Sequence, residues 1–225
     1  SGKTTVGQCL VRLLGADAGR VNFGGTDILA LSVAAFRPVR KNIQMVFQEP
    51  YVALNPRWRV EDLVGEPLAL DRTITSAAQR RKRVLEMLDL VRLPARLAAA
   101  YPHQLTAGEQ KRVGMARALA TRPEFVVFDE PTTALDIRVR AQIIDLVRDL
   151  QRDMALATLF ITHDLNSVRS LAHNVAVMRH GKIVETGETE RIFSAPEHDY
   201  TKMLLGAELP IEEFVPEHKQ QGRQA

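Results

Sequence analysis

Residues Phe125 to Phe128 form a wholly apolar, β-prone run, and Asp129 and Glu130 follow it at once. A run with no polar face suits a strand covered on both sides. Two further short runs read as strands, Ile43–Phe47 (IQMVF) and, as a buried one, Ala157–Ile161 (ATLFI). Between them lie segments with helical spacing. In Ile137–Met154, the residues Ile143, Ile144, Leu146, Val147 and Leu150 make one apolar stripe, the mark of an amphipathic helix. Alternation of buried strands with helices predicts an α/β fold built on a mainly parallel sheet.

The rest of the chain fills in around that sheet. Thr4–Leu14 reads as a helix after a loop, stopped near Gly15. Val21–Ile28 reads as a short hairpin turning at Gly24-Gly25. Gln48–Arg117 changes character and reads as a mostly helical insert, with Ser76–Leu90 as one of its helices. Asp164–Leu171 is predicted as a helix and Val175–Met178 as a strand, and Gly181 and Gly187 are expected to bracket a hairpin. From Pro216 onward the composition predicts disorder. With 225 residues, 45% of them hydrophobic, the chain has enough apolar material for one large domain or a domain with a subdomain.

Composition also removes classes of function. Cys9 is the only cysteine, so disulfide frameworks and cysteine-rich metal sites within one chain are excluded, and Cys9 itself reads as structural. The net charge of +3 is mild, and its densest run, Arg80 to Arg83, precedes Val84, Leu85, Leu88 and Val91 at helical spacing. That run reads as a solvated helix face, and no nucleic-acid partner is expected. No apolar run approaches the roughly 20 residues that cross a bilayer, and no signal-peptide pattern is visible.

The chemistry gathers at strand ends. Gly2-Lys3-Thr4 matches the last three positions of the phosphate loop G-x-x-x-x-G-K-[ST]. Backbone N–H groups of that loop cradle phosphates, the lysine neutralises them and the hydroxyl binds Mg²⁺. Asp129 and Glu130 supply two acids for different work: one to hold Mg²⁺, the next to orient and deprotonate an attacking water. His163 follows the strand LFIT, and Gln48 follows IQMVF. In a parallel sheet the C-terminal strand ends converge on one crevice, so Gln48, Asp129, Glu130 and His163 are expected on the same edge as the phosphate loop.

The order GKTT, VFQEP, LTAGEQKR, VVFDEP, TALD and ITHD resembles the ABC-transporter ATPases over nearly the whole chain. PYVALNPRWRV (Pro50 to Val60), YPHQLTAGEQKR and APEHDYTKMLLGAELP (Ala195 to Pro210) are similar to the oligopeptide and dipeptide importer branch, which also includes importers of nickel and glutathione. The resemblance implies a P-loop NTPase-type core at 1–47 plus 118–195, a helical subdomain at 48–117, a small antiparallel portion and a C-terminal extension at 196–225. It implies that Ser1, Gly2, Lys3, Thr4 and Thr5 bind ATP, and that Thr4, Gln48 and Asp129 touch Mg²⁺. Glu130 becomes the catalytic base, His163 the sensor of the γ-phosphate, and Gln48 a relay to membrane subunits. Thr106, Ala107, Gly108 and Glu109 would contact ATP held by a second ATPase domain, with Asp136 at the shared interface. The implied partners are that second domain (identical or not), two membrane-spanning permease subunits and, indirectly, an extracytoplasmic solute-binding protein. The implied location is the cytoplasmic face of the plasma membrane.

Two departures qualify the resemblance. The family signature is usually LSGGQ, and this chain has LTAGE: Ala107 adds a methyl, and Glu109 puts a carboxylate near a polyanion. An asymmetric dimer with one weakened site is the sharper expectation, family drift the plainer one. Four loop residues, a strand and an adenine-stacking aromatic are expected before Ser1, so we read the sequence as a fragment of a longer chain that, taken alone, binds nucleotide weakly. Two other readings compete: a soluble ABC-class ATPase acting on nucleic acid or ribosomes, and a dimerising fragment with little turnover.

Overall fold

The computed structural model describes residues 1–49, 54–71 and 73–207. The predicted disorder from Pro216, the end of the C-terminal extension and residues 50–53 of the PYVALNPRWRV motif lie outside these. The elements are α1 (Lys3–Leu10), β1 (Asn22–Phe23), β2 (Thr26–Asp27), α2 (Val33–Phe36), β3 (Ile43–Val46), α3 (Val60–Gly65), α4 (Ala77–Leu90) and α5 (Ala107–Leu119). They continue with β4 (Phe125–Asp129), α6 (Ile137–Met154), β5 (Ala157–Ile161), α7 (Leu165–Leu171), β6 (Asn174–Arg179), β7 (Lys182–Glu188), α8 (Thr189–Ser194) and α9 (Asp199–Ala207).

The three apolar runs form one parallel sheet in the order β3-β4-β5. β4 is central, and Val126, Val127 and Phe128 are fully buried. Alternation along the strand divides them between two cores. Val127 joins Ile43, Met45 and Ile161 in a cluster with Val11, Ile28 and Phe36. Val126 and Phe128 face the other way, into a larger cluster with Val84, Leu88, Val113, Met115, Ile143, Leu146 and Val147. The helical insert and α6 therefore cover one face of the sheet, and α1 with the first hairpin covers the other.

α1 lies close on its face because Gly7 has no side chain. A Cβ there would stand 2.9 Å from Ile161 Cδ1 and 3.1 Å from Val127 Cγ1. This helix stops at Leu10, not Leu14. Arg12 turns to a φ of 56°, and the amide of Leu13 donates to Gln8 O at 2.8 Å. The Arg12 guanidinium donates to the carbonyls of Ile28 (3.0 Å) and Leu31 (2.9 Å) and lies 4.8 Å over the Phe36 ring. Contacts some 16 to 24 residues away thus overrule the local stop expected at Gly15.

Several other helices start at capping side chains. Ser76 and Gln79 form a reciprocal capping box at α4, and Asp136 and Asp164 cap α6 and α7. On α4, Val84, Met87 and Leu88 are buried, while Arg81 and Arg83 meet Glu61 (3.9 Å) and Glu86 (2.9 Å) at the surface. The basic run is a solvated face, as its spacing predicts.

Gly24 (φ 55°) and Gly25 (φ 83°) turn the β1–β2 hairpin in a conformation that favours glycine. His180 and Gly181 turn β6 into β7, but Gly187 does not bracket that hairpin: it lies inside β7, paired with Val175. A Cβ there would meet the Arg191 guanidinium at 2.9 Å. Beyond β5 lies a groove of about 550 Å³, lined by Leu10, Phe160, Leu171, Val175 and Met178 among others. No described helix is long and apolar enough to cross a membrane.

The C-terminal segment is tied back by one carboxylate. Glu185 on β7 accepts from the amides of Glu197 (2.9 Å) and His198 (3.1 Å). The Glu197 amide is the main cause holding its pKa below the ordinary 4.5. A depressed pKa means the folded state favours the ionised form, so this stabilisation is present above pH 4.5 and lost as pH falls through the folded value. Glu185→Gln is expected to speed hydrogen exchange at the Glu197 and His198 amides at pH 7. The difference between variant and parent should shrink on acidification toward pH 4.

Candidate active site

Three element ends meet at the C-terminal edge of β4. α1 begins at Lys3 behind Gly2, whose φ is 92°, so Lys3 and Thr4 sit in the first turn. Thr4 Oγ1 donates to Asp129 Oδ1 at 3.1 Å, joining the helix start to the end of β4. Asp129 is 2% exposed. Burial pushes its carboxyl above the usual range and Glu130 adds to this, while the Thr4 hydrogen bond, Lys3 and Lys111 oppose it.

Glu130 leaves the strand with a φ of 46°, a conformation that a non-glycine residue holds at a cost of about 1–3 kcal/mol. Its amide donates to Ile161 O at 2.8 Å, so the end of β5 holds it there. Its carboxylate accepts from Thr133 Oγ1 at 2.8 Å. His163 Nδ1 lies 2.9 Å from Oε1 and 2.8 Å from Oε2. Side-chain exposure is 12% for Glu130 and 71% for His163, so the acid is held inside while the ring faces outward.

Gln48 follows β3 and is exposed, and its backbone carbonyl accepts from the Lys111 ammonium of α5. Sequence reasoning missed Lys111 and Thr133. Lys111 is only 5% exposed; burial lowers its pKa, and Glu49, Glu130 and Asp129 oppose that shift in this order. A signal for it exists: Gly108, Lys111 and Met115 share one face of α5, and all three are buried.

The phosphate-loop residues occupy the same neighbourhood. Lys3 Nζ donates to Ser1 Oγ at 3.3 Å, and Ser1 O accepts from the Gly181 amide at 3.0 Å. Thr5 is exposed on the first turn. A second group stands apart. Thr106 caps α5 and Asp136 caps α6, and among the described residues no hydrogen bond or ion pair joins either to Thr4, Asp129 or Glu130. The Glu109 carboxylate accepts from Thr106 N (2.8 Å) and Oγ1 (2.9 Å), so it is engaged in capping its own helix. Ala107 opens that helix and is exposed.

The model for "ABC transporter" matches residues 1–133, more than half of the chain. The chain belongs to the ABC transporter family. Among the relatives of this ABC chain, the peptidoglycan transport ATP-binding protein YejF of Agrobacterium fabrum is 46% identical over 94% of this chain and 39% of its own length. The oligopeptide transport ATP-binding protein OppF of Streptococcus mutans is 40% identical over 92% of this chain and 67% of its own. The dipeptide transport ATP-binding protein DppF of Lactococcus lactis is 42% identical with the same coverage. The chain thus spans between two-fifths and two-thirds of the length of these relatives. Among solved structures, a dimeric ATP-binding cassette in a post-hydrolysis state, bound to ADP and Pi, is similar with a TM-score of 0.76 and 30% identity over 84% of this chain and 81% of that one. CbiO1 of Clostridium perfringens, part of the ABC transporter complex CbiONQ, also has a TM-score of 0.76, with 28% identity over 86% of this chain and 75% of its own. The mainly parallel sheet with flanking helices and small antiparallel hairpins is the P-loop NTPase type of α/β fold that these ABC cassettes share.

One contact in this ABC chain invites a direct test. A Cβ on Gly108 would stand 2.6 Å from Val139 Cγ1, where α5 and α6 begin side by side. Gly108→Ala is expected to destabilise the fold by about 1–3 kcal/mol through overpacking against a stiff β-branched side chain. Val139→Ala on that background is expected to recover most of the loss, measured as a coupling energy in a urea-denaturation double-mutant cycle.

Proposed function

We propose that this chain is the ATP-hydrolysing motor of an importer that takes up peptides or related small solutes. The observation that carries the reading is the cluster of Thr4, Asp129, Glu130 and His163 at one sheet edge, with Thr4 bonded to Asp129 at 3.1 Å and Glu130 in contact with His163 at 2.9 Å. The peptide-transport names of the relatives point to the cargo class.

The division of labour follows from the chemistry. Ser1 to Thr5 hold the phosphates, with Lys3 as the mobile cation and the start of α1 as the donor of backbone N–H groups. Thr4 and Asp129, with Gln48, would hold Mg²⁺. This set fits that ion: a hydroxyl, a carboxylate and an amide are hard oxygen donors. Among the described residues no group of three or more acids, histidines or cysteines is arranged to hold a metal ion by itself, which suits a cation that takes its remaining ligands from phosphates and water. Bound there, Mg²⁺ neutralises charge on the phosphate oxygens.

Glu130 is the base. Its carboxylate accepts the proton of the attacking water, which its contacts with Thr133 and His163 orient. His163 presents Nδ1 to Glu130, leaving Nε2 toward solvent. Nε2 is therefore the ring atom offered to a phosphate oxygen.

The remaining roles complete the proposal. Thr106 to Glu109 and Asp136 are offered to a second ATPase domain; among the described residues no hydrogen bond or ion pair commits Thr106 or Asp136 to Thr4, Asp129 or Glu130. Residues 1–47 with 118–195 form the nucleotide-binding core and 48–117 a subdomain that docks on two membrane-spanning permease subunits. An extracytoplasmic binding protein delivers cargo to them, and the motor works at the cytoplasmic face of the membrane. In the protein that carries this chain, Glu130→Gln is expected to leave ATP binding intact and to slow hydrolysis by roughly 10²–10⁴-fold. Equilibrium nucleotide binding beside steady-state phosphate release checks this, and undiminished turnover would refute the assignment of the base.

A further inference from the structure

The His163 ring is held by few contacts of its own. It is exposed, and among the described residues its side chain forms a hydrogen bond or ion pair only with the Glu130 carboxylate. A ring so placed takes its position from the backbone on either side. On one side, the Ile161 carbonyl at the end of β5 accepts from the Glu130 amide at 2.8 Å. On the other side stands Asp164, whose carboxylate caps α7. Its Oδ1 accepts from the amides of Asn166 (3.1 Å) and Ser167 (3.4 Å), and its Oδ2 from the Ser167 hydroxyl (2.6 Å). These bonds are local: they fix Asp164 to its own helix and not to the rest of the molecule.

A cation from another element makes the longer connection. Arg140 Nη1, on α6, lies 3.6 Å from Asp164 Oδ2. The Arg140 amide donates to the Asp136 carbonyl at 2.9 Å, so the helix start that carries Asp136 also reaches the loop that carries His163. The far end of α7 is held differently, by Leu171 in the large apolar cluster. Stability is a poor reason for the pair. The Arg140 side chain is 42% exposed, and an ion pair so open to water contributes little. Its Nε is buried and, among the described residues, has no hydrogen-bond partner, an arrangement that costs stability.

We propose that Arg140 is a positioning residue for ATP hydrolysis: through Asp164 it fixes the His163 loop to the start of α6, and so sets where the His163 ring stands beside Glu130. A group that must meet a phosphate oxygen in the transition state gains from being held in place beforehand, since a misplacement of about 1 Å can cost as much as 10²-fold in rate. Arg140 acts at one remove, gripping the residue next to His163 from a helix that the local cap of α7 cannot reach. The inference rests on the hydrolysis reading, and its test separates the two.

Three variants of the protein that carries this chain divide the role. Arg140→Gln removes the charge, Arg140→Lys keeps it, and Asp164→Asn removes the partner charge while keeping an oxygen that caps α7. Thermal melts identify which variants fold, and the two Arg140 variants carry the test if Asp164→Asn does not. The first readout is the imidazole NMR signal of His163, recognised among the six histidines by its loss in His163→Gln. Without nucleotide and at one fixed pH, that signal is expected to shift in Arg140→Gln and in Asp164→Asn and to return in Arg140→Lys, the other histidine signals staying in place. For ATP hydrolysis, Arg140→Gln is expected to lower kcat about tenfold with KM little changed, and Arg140→Lys to stay within about threefold of the parent, the pattern of a group acting mainly in the transition state. Joining Arg140→Gln to Asp164→Asn is expected to add little to the larger single effect, because both break one contact. A purely structural arginine would lower the melting temperature and leave the His163 signal where it was. An unmoved His163 signal in Arg140→Gln, parental kcat in that variant, or fully additive losses in the double variant overturns the proposal. If the parent protein hydrolyses no ATP, the hydrolysis reading fails, and the His163 signal still decides whether Arg140 positions the ring.

Discussion

The burial of β4 on both faces is the constraint on which the rest of the structure depends. Val126, Val127 and Phe128 have no access to water, so the backbone on either side must pair, and it does so with β5 along its whole length and with β3 from Phe125 to Phe128. Polar chemistry is then confined to the end of the strand. Asp129 and Glu130 are the first side chains that meet anything but hydrocarbon, and they do so where α1 begins and where β5 delivers His163. The alternating sides of β4 also set the layers: Val127 takes α1 and the first hairpin, while Val126 and Phe128 take the helical insert and α6.

That arrangement creates an electrostatic difficulty at the place where it is useful. At the edge of an apolar core, burial raises the pKa of Asp129, and the neighbouring Glu130 carboxylate raises it further. The fold answers with donors and cations from three directions. Thr4 and Lys3 come from the first turn of α1, Thr133 and His163 hold Glu130, and Lys111 reaches in from α5. Each comes from a different part of the chain, so the site forms only when the sheet, the first helix and the insert have packed together.

Much of this was legible in the residue pattern, because its causes are local. The apolar runs gave three strands, the stripe from Ile143 to Leu150 gave α6, and Ser76, Asp136 and Asp164 marked helix starts through their own hydrogen bonds. The readings that failed depend on distant partners. The early stop of α1 rests on Arg12 reaching Ile28, Leu31 and Phe36, and the true use of Gly187 rests on Arg191 packing over it. In the site, Thr4, Asp129, Glu130 and His163 could be named because strand ends and a phosphate-loop triplet announce them. Lys111 was hidden, since a lysine beside an arginine on a helix reads as solvated until its helix face is compared with Gly108 and Met115. The capping contact of the Glu109 carboxylate with Thr106 depends on the helix start at Ala107 and was not announced by its charge.

The central claim is that the end of β4 and the start of α1 form one nucleotide–metal site. Determining the structure of the protein with Mg²⁺ and a non-hydrolysable ATP analogue tests this most directly. The account predicts Mg²⁺ at about 2.0–2.1 Å from the Thr4 hydroxyl, with Asp129 bonded to the ion or to one of its waters. It also predicts the terminal phosphate at Lys3 and a water between that phosphate and Glu130. A nucleotide bound elsewhere, or an ion seated away from Thr4 and Asp129, would contradict it.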